Sequence, residues 1–189
     1  DGTAVNPSRL HYYQGFHDVA SVILANISNR PELASAILRK LAKSHLRDAT
    51  REDFSGITCF LEIALYPLLQ VLDEELHDYF IFRELGPTAF ITWIITLFSH
   101  DIHDSERAGR LFDALLASHP LMPLYFAVSI LVNPGCRDRI FETDEDDPAM
   151  LHVVVTGLTR CLVDDFEVGE GDEDWFTMQD MIDTSISLM

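Results

Sequence analysis

Cysteine is scarce in this chain of 189 residues: Cys59, Cys136 and Cys161 lie far apart and form no C-x-x-C pair. So odd and scattered a set excludes a disulfide framework and points to reduced thiols inside a cell. Basic charge is scarce too. Thirteen Lys and Arg face 31 Asp and Glu, a formal net charge of −18. Such a surface repels phosphate backbones and anionic headgroups, which removes nucleic acid and membrane contact from the expected partners. The nine glycines and eight prolines occur singly between apolar-periodic stretches, a spacing that suits helices. No apolar run reaches the roughly 20 residues that span a bilayer; the longest, 89–98 and 121–132, read as buried helices. No secretory or transit leader is recognisable, and a chain opening on Asp1 is expected to be a piece of a longer one.

What is present is an ordinary soluble balance, 48% apolar and 23% charged, in a chain long enough to bury one sizeable core. The acid is unevenly spread: from Glu142 onward 14 acidic residues face one basic residue, Arg160, against 17 and 12 before it. Residues 142–189 therefore read as an acidic helical extension of the domain formed by residues 1–141, its acid mainly serving solubility.

Helix punctuation recurs along the chain. Asn29-Arg30-Pro31-Glu32 combines a cap, a first-turn proline and a first-turn acid ahead of Leu33, Ile37, Leu38 and Leu41. Thr50 and Asp53 open a segment in which Phe54, Ile57, Leu61, Leu65 and Leu68 keep helical spacing to about Leu72. Asp73 caps a short helix through Phe82, and Gly86-Pro87 starts "PTAFITWIITLFSH", apolar nearly all round and so central to the core. Residues 105–118 are amphipathic, "HPLMPLYFAVSILV" confines its prolines to the first turn, and Asp147-Pro148 precedes a helix over 151–163 that takes in the β-friendly Val153–Val155. "DDFEVGEGDED" reads as a loop and "DWFTMQDMI" as a last short helix held by Trp175, Met178 and Ile182. The expectation is an all-α domain of about nine or ten helices.

Chemistry-bearing patterns are few. His100, Asp101, His103 and Asp104 cluster in "SHDIHD", but no third ligand stands at a recognisable spacing, so a polar helix end is the better reading and no metal is assigned. G-x-S-x-G, P-loop and G-x-G-x-x-G motifs are absent. "HYYQGFHD", residues 11–18, places a glutamine against a glycine at a helix entrance. From the residues alone, Gln14 is most simply a satisfied loop side chain. A second reading remains open: an amide that accepts and donates at once can orient a water for in-line attack, the glutamine's role in GTPases, with Gly15 allowing close backbone approach and Tyr12 bracing the loop.

Tyr12-Tyr13-Gln14-Gly15 with Phe16-His17-Asp18 resembles the Y-x-Q-G-(M/F)-x-D motif of TBC domains, the GTPase-activating domains for Rab GTPases. Asn6-Pro7 resembles the lead-in to that motif, residues 93–98 its W-x-x-x-x-F helix, and Arg110-Leu111-Phe112-Asp113 its R-L-W-D, with Phe in place of Trp. "HYYQG" and "HPLMPLYFA" are most similar to a branch tethered to endoplasmic reticulum membranes. The resemblance covers about residues 6–132. It implies Gln14 as a catalytic finger supplied in trans to a Rab, which carries GTP and Mg²⁺ while this chain needs no cofactor of its own. Tyr12, Gly15 and Asp18 are expected to shape that loop and help bind the partner, whereas Trp93, Phe98, Arg110 and Asp113 read as structural. The location implied is the cytoplasm or the cytosolic face of an endomembrane. The family's arginine finger belongs to an I-x-x-D-x-x-R motif upstream of the glutamine, and no such motif occurs in residues 1–189. Arg9 lies too near Gln14, and Asp48-Ala49-Thr50-Arg51 lies downstream and lacks the leading Ile. The N-terminal part of the domain is therefore expected to be missing. The alternative function is a non-catalytic helical scaffold for a GTPase or adaptor.

Overall fold

In the computed structural model, residues 9–102, 104–143, 147–163 and 176–189 are described. They form ten α-helices: α1 (Phe16–Asn26), α2 (Pro31–Lys43), α3 (Ser55–Leu72), α4 (Glu74–Phe82), α5 (Ile91–Thr96), α6 (Ser105–Ala117), α7 (Met122–Val132), α8 (Pro134–Phe141), α9 (Pro148–Gly157) and α10 (Met178–Leu188). Short 3₁₀ turns at Pro87–Phe90 and Leu158–Cys161 lead into α5 and out of α9. The fold is all-α, as expected. The one departure among the described residues is a parallel pair of two-residue strands, Leu162–Val163 beside Phe176–Thr177. Asn6-Pro7, His103, Trp175 and the "DDFEVGEGDED" loop fall outside the described residues.

Half of the ten α-helices start where a side-chain oxygen satisfies the first free N–H groups. Asp73 accepts from Leu76 N at 3.0 Å, and Asp104 accepts from Glu106 N and Arg107 N at 3.0 and 2.8 Å. Asp147 takes the same role for α9, and Thr177 forms a reciprocal capping box with Asp180 at α10. Asn133 caps α8, a helix that the apolar spacing does not announce. The start of α3 differs from the sequence expectation. The Thr50 hydroxyl donates to the Ala42 and Arg47 carbonyls, 3.1 and 2.8 Å away, and Asp53 accepts from Ser55 N at 2.9 Å, so the helix begins at Ser55.

The core is centred on α7, whose residues from Met122 to Leu131 are buried except Tyr125. It packs against α3, α5, α8 and α10. Ser129 Oγ lies 3.0 Å from Ser185 Oγ, a buried polar contact that sets α10 on α7. Among the described residues α3 alone is long and apolar enough to cross a bilayer, but its Ile57, Leu61, Leu65 and Leu69 face is buried against the rest of the core. Arg137 bridges Asp73 at 2.7 Å and also Glu75, tying α8 to the start of α4, and the Asp73 hydrogen bond holds its guanidinium above the usual range.

A chain of aromatic rings runs through this core. Phe90 meets Tyr66 and Phe80, Trp93 meets Phe90 and Phe98 at centroid separations of 5.7 and 5.8 Å, and Phe98 meets Phe126 at 4.8 Å. The helix inferred from "PTAFITWIITLFSH" is shorter than its apolar length suggests. It is a 3₁₀ turn followed by the six-residue α5, which stops because Leu97 and Phe98 adopt φ of 51° and 65°. Left-handed backbone costs a branched or aromatic residue roughly 1–2 kcal/mol. Burying Leu97 and Phe98 almost completely offsets that cost at about 1.5–3 kcal/mol per side chain.

Trp93 is 1% exposed at the middle of the aromatic chain. Trp93→Ala is expected to lower unfolding stability by about 3–5 kcal/mol, measured as a drop in the urea midpoint with helical circular dichroism retained. A native midpoint would remove Trp93 from the core.

Candidate functional site

The loop before α1 is fixed from both sides of Gln14. Tyr13 is buried and its hydroxyl donates to the Ile95 carbonyl at 2.7 Å. That carbonyl is available because α5 ends one residue later, leaving its last C=O groups without intrahelical partners. Desolvation of the phenol, with a smaller contribution from Tyr12, pushes Tyr13 far above its ordinary titration range. It therefore remains a neutral donor. The Tyr13 ring also stands edge-on to Phe16 and Phe54.

On the other side, Gly15 is buried at φ 107° and begins α1. A Cβ there would lie 2.8 Å from Thr96 Cγ2, so both the backbone angle and the space demand glycine. The carbonyls of Tyr13 and Gly15 accept from Phe16 N and Asp18 N at 3.3 and 3.0 Å, closing the first turn. Between two buried neighbours, Gln14 is exposed and makes no side-chain hydrogen bond among the described residues. A glutamine turned outward from so tightly held a loop has both its amide oxygen and its amide nitrogen available to a partner.

The other expected loop residues are nearby, with roles divided differently from the sequence expectation. The bracing tyrosine is Tyr13. Tyr12 is 73% exposed, its hydroxyl 3.3 Å from His17 Nδ1. Asp18 is engaged through both oxygens: His17 Nε2 stands 3.2 Å from Oδ1, and His100 Nδ1 is 2.9 Å from Oδ2. His100 sits in the turn after α5, outside any helix. The sequence marked it only as one member of "SHDIHD", and nothing local indicates a partner 82 residues earlier. Among the described residues no group of three His, Cys, Asp or Glu is placed to hold a metal.

Trp93 and Phe98 are core residues. Arg110 is exposed on α6 and donates to Gln179 Oε1 at 3.0 Å, joining α6 to α10, and Asp113 is exposed. Arg9 is exposed; Arg47 and Arg51 lie 3.4 and 3.5 Å from Asp48. The His11 N–H donates to the Thr50 carbonyl at 2.8 Å, seating the chain that enters the glutamine loop against the 47–51 turn. A cavity of about 420 Å³ beside that turn is lined mostly by apolar groups such as Leu46, Ile57, Phe60 and Leu124, with Ser44, His45 and Asp48 among its polar lining. Its chemistry is that of packing rather than of phosphate transfer.

Residues 4–135 match the Rab-GTPase-TBC domain family. The TBC1 domain family member 20 proteins of Homo sapiens and Bos taurus are each 39% identical over 149 residues, which is 79% of this chain and 36% of those proteins. The GTPase-activating protein gyp10 of Schizosaccharomyces pombe is 30% identical over 145 residues, 76% of this chain and 38% of that protein. The chain thus spans little more than a third of these relatives' length. The matched residues take in the glutamine loop, the helices α1 to α7 and the turn after α5, and the chain belongs to the Rab-GTPase-TBC domain family.

Proposed function

We propose that this chain accelerates GTP hydrolysis by a Rab-family GTPase and that Gln14 is the residue it inserts into the partner's site. The observation that carries the reading is the exposure of Gln14 between two immobilised neighbours, Tyr13 and Gly15. Membership of the Rab-GTPase-TBC domain family and similarity to a named GTPase-activating protein support it. The partner carries GTP and Mg²⁺. The Gln14 carbonyl accepts from the attacking water while its amide N–H donates to an oxygen at the reacting phosphate, so the water is held in line. The restrained loop serves this chemistry directly, because orientation fixed before the encounter does not have to be established during the reaction. Tyr12 and Asp18 flank the glutamine on the surface that meets the GTPase. Such a protein works in the cytoplasm or on the cytosolic face of an endomembrane.

Charge neutralisation is the second requirement, and no arginine of residues 1–189 stands in the I-x-x-D-x-x-R pattern: Arg9 is too near Gln14, and Arg47 and Arg51 lie downstream, beside Asp48. An arginine finger is worth about 10³–10⁵ in rate, or about 4–7 kcal/mol of barrier. We infer that it comes from outside residues 1–189.

In the full-length protein, Gln14→Ala is expected to abolish most stimulation of GTP hydrolysis with the helical fold intact. Single-turnover phosphate release from the most responsive member of a purified Rab panel is the assay, and undiminished stimulation would take Gln14 out of the mechanism. The 189-residue chain alone is expected to stimulate at least about a thousandfold less than the full-length protein. Equal rates in a titrated assay would place the arginine within these residues.

A further inference from the structure

We infer that His100 is a positioning residue for Gln14, acting through Asp18; the inference rests on the reading of Gln14 above. The glutamine loop meets the end of α5 at three places. Tyr13 donates to the Ile95 carbonyl, Gly15 lies against the Thr96 methyl, and Asp18 binds His100. The first two hold the residues on either side of Gln14. The third holds the first turn of α1, whose N–H groups close on the carbonyls of that same loop.

The hydrogen-bonding roles in this cluster are mutually consistent. With Asp18 ionised, His100 presents Nδ1–H to Oδ2, and His17 directs Nε2 at Oδ1 while its Nδ1 is left to accept from the Tyr12 hydroxyl. Tyr12, two residues before Gln14, is thereby linked to Asp18, four residues after it, and His100 ties that pair to the turn after α5. Without His100 the Tyr13 and Gly15 contacts and the packing of α1 on α5 remain, but the first turn of α1 loses its side-chain hydrogen bond to the turn that follows α5. The side chain of His100 is 55% exposed against 20% for Asp18, so its removal opens no cavity and the effect falls on orientation rather than on folding. A displacement of about 1 Å at a reacting group can cost on the order of a hundredfold in rate.

The amide nitrogen of an asparagine occupies nearly the position of the imidazole Nδ1, which provides a conservative rescue. In the full-length protein, with a GTP-loaded Rab selected for its response, His100→Ala is expected to lower the maximal single-turnover rate about tenfold or more. The half-saturating concentration and the thermal midpoint should stay near those of the unmodified protein. His100→Asn is expected to restore most of the rate, and His100→Ala should add no further loss in a Gln14→Ala background. An undiminished rate in His100→Ala, a change confined to half-saturation, no rescue by asparagine, or a loss that multiplies with that of Gln14→Ala would each overturn the positioning role. Full activity in Gln14→Ala alone would instead remove the glutamine reading, and this role with it.

Discussion

The early stop of α5 is the constraint on which the site depends. A helix continuing through Leu97 and Phe98 would use the Ile95 carbonyl internally and carry His100 out of reach of α1. Two successive left-handed residues end it instead. The Ile95 carbonyl, left without an intrahelical partner, then receives Tyr13, the last helical residue Thr96 backs Gly15, and the turn brings His100 to Asp18. The strain is held in place by the core: Phe98 is clasped between Trp93 and Phe126, and Leu97 is buried beside them. The aromatic chain and the glutamine loop are therefore one construction. What stabilises the domain also determines where Gln14 points.

This coupling separates two kinds of substitution. Changes in the aromatic chain reach the site by loosening the turn, and they register as lost stability as well as lost rate. Changes on the surface of the loop leave the core alone, because Gln14, Tyr12 and His100 are all exposed. The acidic character of the chain adds a further condition. On the proposed function Asp18 brings a negative charge to the surface that approaches the nucleotide, and two imidazoles occupy its oxygens, which limits the repulsion it can exert.

Much of this was legible in the sequence, for physical reasons that can be stated residue by residue. Helical spacing with Asp73 and Asp147 as caps locates α4 and α9, because a cap is a local interaction within three residues. Amphipathic spacing locates α6, whose cap Asp104 reads in the sequence as part of a polar helix end instead. Gln14 and Gly15 stood out through their motif. The illegible parts depend on distant or context-bound energies. Leucine and phenylalanine seldom adopt positive φ, so the end of α5 cannot be read from residues that favour continuing it. The tyrosine pair was equally opaque: adjacent residues of one type divide into a buried anchor, Tyr13, and an exposed neighbour, Tyr12, and only the end of α5 decides which is which. α8 is too short and too polar for a periodic signal, and the pairing of Asp18 with His100 spans 82 residues.

The central claim is that the water-orienting glutamine comes from this chain rather than from the GTPase. It is tested most directly by removing the partner's own glutamine: a Rab in which the switch glutamine is replaced by alanine, loaded with GTP and mixed with the full-length protein in single turnover. The account predicts that stimulation persists within a few-fold of that seen with the unaltered Rab, since Gln14 already holds the water. Loss of stimulation with binding retained would contradict it, and would assign the chemistry to the GTPase and only binding to this domain.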